Sequence, residues 1–245
     1  MSYDAVARHK VMENLVTRNI SGIQEKKYYR WRVDRWYGGI VTTDVVGCGL
    51  YCKFCWVSDS VLNNPSESGE FHSPIDVADR LVRLLKKSGF KQLRISGGEP
   101  AIGQEHLLAL LELFQDQGYQ FILETNGILL GHDKTYADSL SNYDFLHARV
   151  SLKGCSEDEF ASLTNANPDG FELQINALKN LIDSGVSCHP SVMTLFSTDE
   201  SIDNLREKLS NISQKFAIDL EIEELILYPK VIQRLRKYGI RPTTS

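Results

Sequence analysis

Ile40-Val41-Thr42-Thr43-Asp44-Val45-Val46-Gly47-Cys48-Gly49-Leu50-Tyr51-Cys52-Lys53-Phe54-Cys55-Trp56 begins as a β-rich run and ends in a loop that holds three of the chain's five cysteines. Outward from this stretch the sequence alternates. Strands are expected at 40–46, 93–96, 119–124, 145–152, 186–195 and 220–227, from apolar runs bounded by Gly, Pro and polar residues. Helical periodicity at 74–87, 105–117, 134–140, 157–163, 171–184, 199–215 and 231–238 fills the intervals. Six strands alternating with helices define an α/β chain whose parallel sheet is covered by helices. The first strand ends in the cysteine loop and the second in Ser96-Gly97-Gly98-Glu99-Pro100. The third ends in Glu124-Thr125-Asn126-Gly127 and the fourth in Ser151-Leu152-Lys153-Gly154. All four polar endings fall on one face of a parallel sheet, where barrel proteins gather their chemistry. Periodicity alone leaves open whether the sheet is doubly wound or a closed or partial barrel.

Upstream, 4–20 reads as an amphipathic helix ending near Ser21-Gly22. In 26–37 five basic residues interleave with Tyr28, Tyr29, Trp31, Trp36 and Tyr37. That arm is either a surface for an anionic or aromatic substrate or a β-extension that caps the barrel. The expected organisation is an N-terminal extension over 1–39 (the helix plus the basic-aromatic arm) and a barrel over 40–245. Together they form one compact domain, with 58–73 its longest loop.

The chain has 245 residues, 42% hydrophobic and 24% charged, which suits one globular core and excludes disordered and collagenous classes. Lysine and arginine total 27 against 32 acidic residues, a net charge of −5, which argues against a protein that coats nucleic acid. No apolar run approaches 18 residues, and the start lacks the basic and apolar regions of a signal peptide, so no membrane contact and a cytoplasmic location are expected. An odd number of cysteines, three within eight positions, is a poor disulfide framework and suits a metal or cluster site.

Cys48, Cys52 and Cys55 have the spacing C-x-x-x-C-x-x-C. Three soft thiolates on a tight loop suit an iron–sulfur cluster or zinc, and a structural zinc asks for a fourth ligand that no paired residue offers. An open coordination position is a catalytic feature. Cys155 and Cys188 are isolated and read as structural thiols, and His9, His72, His106, His132 and His147 show no ligand spacing.

The triplet, with Phe54 before its last cysteine, resembles the signature of the radical S-adenosylmethionine (SAM) superfamily. The resemblance spans about 40–228 and implies a partial (β/α)6 TIM-like barrel with an N-terminal helical or extended addition. It implies that Cys48, Cys52 and Cys55 hold one four-iron four-sulfur (4Fe-4S) cluster whose fourth iron is left for SAM. It implies that SAM is cleaved by one electron to a 5′-deoxyadenosyl radical that abstracts hydrogen from a substrate. Gly97, Gly98 and Glu99, flanked by Ser96 and Pro100, match the family's contact to the methionine amine. Glu124-Thr125-Asn126 resembles a segment at the edge of the SAM site in small glycyl-radical-enzyme activases. Ser151-Leu152-Lys153 resembles their Asp-Leu-Lys with serine in place of the acid. Lys153 is then expected to meet the SAM carboxylate, and His189, before Pro190, to reach toward the adenosyl group.

The family implies a low-potential electron donor of the ferredoxin or flavodoxin type. For the substrate, the resemblance fits a protein glycine, as in activases, or a small molecule. Phe54-Cys55-Trp56 and the basic arm also resemble the wyosine-type tRNA-modifying branch, with the acidic net charge against it. A non-enzymatic iron–sulfur carrier or sensor would explain the cysteines but not the Gly-Gly-Glu turn. Arg234, Arg236, Lys237 and Arg241 add positive charge near the C-terminus that a solvated helix face would explain equally well.

Overall fold

The computed structural model describes residues 2–240; Arg241 lies outside them. The chain opens with α1 (Ala5–Val16), capped by the Asp4 side chain, which accepts from the Ala7 N–H at 2.9 Å. The helix stops at Val16 rather than running to residue 20. β1 (Thr17–Ile20) and β2 (Ile23–Asp34) follow as an antiparallel hairpin. Ser21 and Gly22 join them with φ of 51° and 81°, positive at both central positions, as a tight two-residue hairpin turn requires. The residues expected to end a helix therefore turn a hairpin, and the basic-aromatic arm is a strand up to Asp34, with Trp36 and Tyr37 in a short 3-10 turn beyond it. It continues into β3 (Ile40–Val45), antiparallel to β2.

Within the loop expected over 58–73 lie α2 (Asp59–Asn63) and β4 (Glu70–His72), the latter paired with Lys26, Lys27 and Tyr28 of β2. The α/β alternation then runs α3 (Pro74–Ser88), β5 (Gln92–Gly97), α4 (Gln104–Glu112), β6 (Gln120–Thr125), α5 (Ile128–His132), α6 (Lys134–Leu140), β7 (Leu146–Leu152), α7 (Glu157–Thr164), α8 (Gly170–Asp183), β8 (Ser187–Val192), α9 (Asp199–Ser210), α10 (Gln214–Ile218), β9 (Glu221–Ile222) and α11 (Pro229–Lys237). The long helix expected over 199–215 breaks into two, and the last strand, expected over 220–227, pairs only at Glu221 and Ile222.

β3, β5, β6, β7, β8 and β9 are six parallel strands in that spatial order, with β2, β1 and β4 added antiparallel at one edge. No pairing among the described residues closes the sheet, so it is a partial (β/α)6 barrel, as the resemblance implied. Strand residues alternate between faces. One set, including Val41, Leu93, Ile95, Phe121, Leu123, Ala148, Val150 and Val192, enters the apolar core with Leu81, Leu85, Leu107, Leu111, Leu178 and Leu181 of the covering helices. The other set is polar: Thr42, Asp44, Arg94, Ser96, Glu124, Arg149, Ser151 and Ser191 line up across strands through the pairs Thr42↔Arg94, Asp44↔Ser96, Glu124↔Arg149 and Ser151↔Ser191. That polar interior positions the site.

Candidate functional site

A cavity of about 510 Å³ opens at the C-terminal ends of the parallel strands. Cys48, Cys52 and Cys55 line it together with Phe54, Ser96, Gly97, Gly98, Glu99, Glu124, Thr125, Asn126, Ser151 and Lys153. The fold thus brings together residues that are up to 105 positions apart in the chain (Cys48 to Lys153).

The cysteine loop is braced from three sides. The Lys53 N–H donates to the Leu163 carbonyl at 2.9 Å, the Tyr51 N–H to the Tyr3 hydroxyl at 3.0 Å, and the Cys55 N–H to the Cys52 carbonyl at 3.0 Å. Arg234 of α11, buried rather than solvated, donates to the carbonyls of Cys55 and Val57 (the latter at 3.0 Å) and pairs with Asp59 at 2.5 Å. From the other side His9 of α1 is buried, and its Nε2 accepts from Asn126 Nδ2 at 3.1 Å. Cys48 Sγ accepts from the Leu50 N–H at 3.4 Å and from Asn126 Nδ2 at 3.6 Å. Burial raises all three thiols; for Cys48 the neighbouring Cys52 and Glu99 charges add to it. Cys52 is pushed up to about 12, burial outweighing the Lys153 ammonium that pulls it down. Cys55 is raised by burial against the Val57 N–H and Arg234. Three buried thiols become thiolates when a cation supplies the missing charge. Among the described residues, no three His, Cys, Asp or Glu groups converge as a single ion requires. Three soft donors around one cavity have the chemistry an iron–sulfur cluster takes.

The Gly-Gly-Glu-Pro turn lies directly under this loop. The Gly98 N–H donates to the Val45 carbonyl at 2.8 Å, and the Glu99 N–H to the Gly47 carbonyl at 2.6 Å. A Cβ on Gly98 would stand 2.2 Å from the Gly47 oxygen, so only glycine lets the two loops meet. Glu99 is 2% exposed, and its carboxylate accepts from the Ala101 N–H (2.9 Å), the Thr125 hydroxyl (2.6 Å) and the Asn126 N–H (2.7 Å). The acid expected to face a ligand amine is therefore largely engaged in tying β5 to β6. Behind the turn Lys26, 1% exposed, donates from Nζ to the carbonyls of Glu99 (3.1 Å), Pro100 (2.8 Å) and Ile102 (2.5 Å). Burial lowers its pKa to about 7, against the Glu99 charge, which raises it.

Deeper in the barrel the polar interior forms a belt of ion pairs. Arg30 and Arg32 pair with Asp44 at 2.5 and 3.1 Å, and Arg94 bridges Asp34 at 3.3 Å and Glu124 at 2.9 Å. Glu124 also accepts from the Ser96 hydroxyl at 2.7 Å. Arg149 forks onto Glu221 with two 2.8 Å bonds and reaches Glu223 at 3.1 Å. Glu223 accepts from the Ser151 hydroxyl at 2.5 Å and the Ser191 hydroxyl at 2.8 Å, while Lys153 Nζ donates to Ser151 Oγ at 2.5 Å. The carboxylate that Ser151 lacks thus arrives from β9's end. Burial alone would raise Glu223; the Lys153 and Arg149 charges and the two hydroxyl bonds lower it instead. Burial opposes the Lys153 ammonium, yet Glu223 and Cys52 raise its pKa above the ordinary value.

His189 does not line the cavity. Its Nδ1 faces His147 Nε2 at 2.6 Å and its Nε2 faces Glu221 at 2.9 Å, so it is held in a stacked pair lower in the barrel rather than at the mouth. Sequence reasoning missed Glu223, Arg94, Arg149 and Lys26 as site residues. Period-two alternation of charge in Arg149-Val150-Ser151-Leu152-Lys153 was the signal available. Of the basic-aromatic arm, Arg30, Arg32 and Trp36 reach the cavity, where Arg30 lies over the Trp56 ring at 4.9 Å; Arg35 is not among the lining residues.

Comparison with known proteins places this arrangement. The family model for the radical SAM superfamily matches residues 43–209, and the chain belongs to that superfamily, whose members are iron–sulfur enzymes using a 4Fe-4S cluster and SAM. A GTP 3′,8-cyclase of Clostridium perfringens is 27% identical over 183 residues, 73% of this chain and 52% of that protein. The pyruvate formate-lyase-activating enzyme of Clostridium pasteurianum is 25% identical over 181 residues, 71% of each. The chain spans about half the length of the GTP 3′,8-cyclases it matches. Among solved structures, Streptococcus suis SuiB bound to S-adenosylmethionine shares the fold with a TM-score of 0.57 at 21% identity, over 79% of this chain and 44% of SuiB.

Proposed function

We propose that the chain is a radical SAM enzyme in which Cys48, Cys52 and Cys55 are the protein ligands of a single 4Fe-4S cluster. When bound, the cluster and SAM supply one-electron cleavage to a 5′-deoxyadenosyl radical that takes hydrogen from a substrate. The observation that carries this reading is that the three thiols and the Gly97-Gly98-Glu99 turn line one cavity. Main-chain groups of the turn, fixed by Lys26 and by Glu99's bonds, offer a preorganised edge to the methionine amine. Lys153, held charged by Glu223, is the cation for the methionine carboxylate, and Phe54, Thr125 and Asn126 wall the remainder. The cavity has the size of a single small-molecule site. The substrate, a peptide glycine or a small polar molecule, then meets the mouth, walled by Arg30, Trp36, Trp56, Ile226, Tyr228 and Lys230.

The test is anaerobic reconstitution with iron and sulfide, followed by iron counting, electron paramagnetic resonance with and without SAM, and detection of 5′-deoxyadenosine after dithionite. Four irons per chain, a SAM-dependent change in the spectrum and 5′-deoxyadenosine are expected. Cys52→Ala should lose the cluster, and a variant that keeps it intact ends the ligand assignment. A cluster indifferent to SAM would make the protein a carrier or sensor.

A further inference from the structure

On the far side of the cysteine loop lies a second concavity, about 300 Å³, between the loop, α2 and the C-terminal end of α11. It is lined by Tyr51 and Cys52 from the loop, by Asp59, Leu62 and Asn63, and by Gln233, Arg234, Lys237 and Tyr238. Cys52 and Leu62 line both cavities, so the wall between this outer dent and the cysteine site is one residue thick. We infer that this face is where an acidic one-electron carrier protein docks to reduce the cluster, an inference that rests on the cluster reading above.

Three observations point there. The first is access: Cys52 borders both the SAM cavity and the outer dent. A donor at the dent abuts that residue without crossing the substrate's path. The second is charge. The molecule is acidic overall at −5, yet α11 reads Pro229-Lys230-Val231-Ile232-Gln233-Arg234-Leu235-Arg236-Lys237, with four cations and no acid. Asp59, the acid of the lining, is matched by Arg234 at 2.5 Å, which leaves Lys237 as surplus. The third is the ring at the rim. Tyr238 is 44% exposed and flanked by Lys53 Nζ at 5.3 Å and Lys237 Nζ at 5.7 Å from its centroid, while Arg8 lies over Tyr51 at 3.8 Å. Exposed aromatics among cations are the anchor chemistry of protein interfaces, and complementary charge steers transient encounters. A basic patch on an acidic body selects an acidic partner. The step itself moves one electron and no atom: the reduced carrier is oxidised and the oxidised cluster reduced.

The test uses the reconstituted full chain and flavodoxin as probe. Binding of oxidised flavodoxin is followed by its flavin absorbance, and cluster reduction by flavodoxin hydroquinone is followed by stopped flow, both at several salt concentrations. The substitutions are Q233E/K237E on α11, the milder Lys237→Gln, and the remote control K86E/K134E. Expected are binding that weakens with salt and a loss of about tenfold or more in affinity and reduction rate for Q233E/K237E at low salt. Lys237→Gln should lie between, the control should match wild type, and dithionite should reduce every variant's cluster at one rate. The inference is overturned if Q233E/K237E binds as wild type, if binding ignores salt, if the control weakens equally, or if no complex forms at about 100 μM in low salt. It is also overturned if tRNA, and not flavodoxin, is the macromolecule held at Lys237. Failure of the wild type to assemble a cluster would sink the cluster reading instead, and the binding arm would still report on the patch.

Discussion

Glu99 shows how a side chain that reads as a ligand contact can be occupied in holding the ligand's platform. Its carboxylate takes two N–H groups and one hydroxyl, from Ala101, Asn126 and Thr125, in a buried setting. Glu99→Gln keeps the size but turns one acceptor oxygen into an amide donor facing an existing donor. The expected cost is about 1–3 kcal/mol in urea unfolding, the penalty of one buried donor left unpaired. Unchanged stability would mean that the carboxylate faces a ligand rather than the chain. Gly98→Ala should do more, since its Cβ overlaps the Gly47 carbonyl at 2.2 Å; the reconstituted iron content should fall well below that of wild type. Those motif residues were legible in sequence because each lies beside its neighbour in the chain. Glu223 was not: its partners Ser151 and Ser191 are 72 and 32 residues away, and only the parallel register joins them. His189 was legible as an inward histidine, but His147 and Glu221, which hold it away from the cavity, come from other strands.

Among the elements, β2 joins the arm to the motif. Its Lys26 reaches three carbonyls of the Glu99–Ile102 turn, so Lys26→Met removes three buried hydrogen bonds, leaving the Glu99 carbonyl only the Ile102 N–H. A loss of about 3 kcal/mol follows at about 1 kcal/mol per bond. The pH dependence has a definite sign. In the folded chain burial lowers the Lys26 pKa from 10.5 to about 7, so between those values the unfolded chain binds a proton that the folded chain does not. The stability gap between wild type and Lys26→Met should therefore narrow as pH falls from about 10.5 to 7 and stay flat below. A gap that stays flat over that window would show that the turn keeps the ammonium charged. The parallel strands and their helices were legible from periodicity; the hairpin was not, because Ser21-Gly22 serves a helix end and a two-residue turn equally well until φ is known. β9 was overread because the apolar run Leu225-Ile226-Leu227 reads as strand, while Leu225 and Ile226 line the cavity instead of pairing.

For the whole molecule, the inside of the barrel is an ion-pair belt where a closed barrel would carry packed aliphatic layers. An open sheet admits water and needs polar walls, and the belt meets that need by matching each guanidinium to carboxylates already in the chain. Breaking such a match from the buried side is costly: Arg149→Met strips Glu221 and Glu223 of their shared guanidinium, with an expected loss of about 3–5 kcal/mol. Glu221 offers the more discriminating test. Partial burial would raise its pKa, but bonds from His189 and Arg149 prevail and bring it to about 2. A carboxylate depressed in the folded state contributes stability above its unfolded value, near 4.5, and loses it as pH falls toward 2. His147 acts over a different window. Burial, then the His189 charge, lowers its pKa from 6.5 to about 4, so the chain gives up stability there between those values. The difference between wild type and Glu221→Gln should shrink steadily between pH 4.5 and 2 in urea unfolding, below most of the histidine window. A difference that persists undiminished at pH 2.5 would mean that Glu221 acts in the belt by shape and hydrogen bonding, and the charge account of the barrel interior would fail with it.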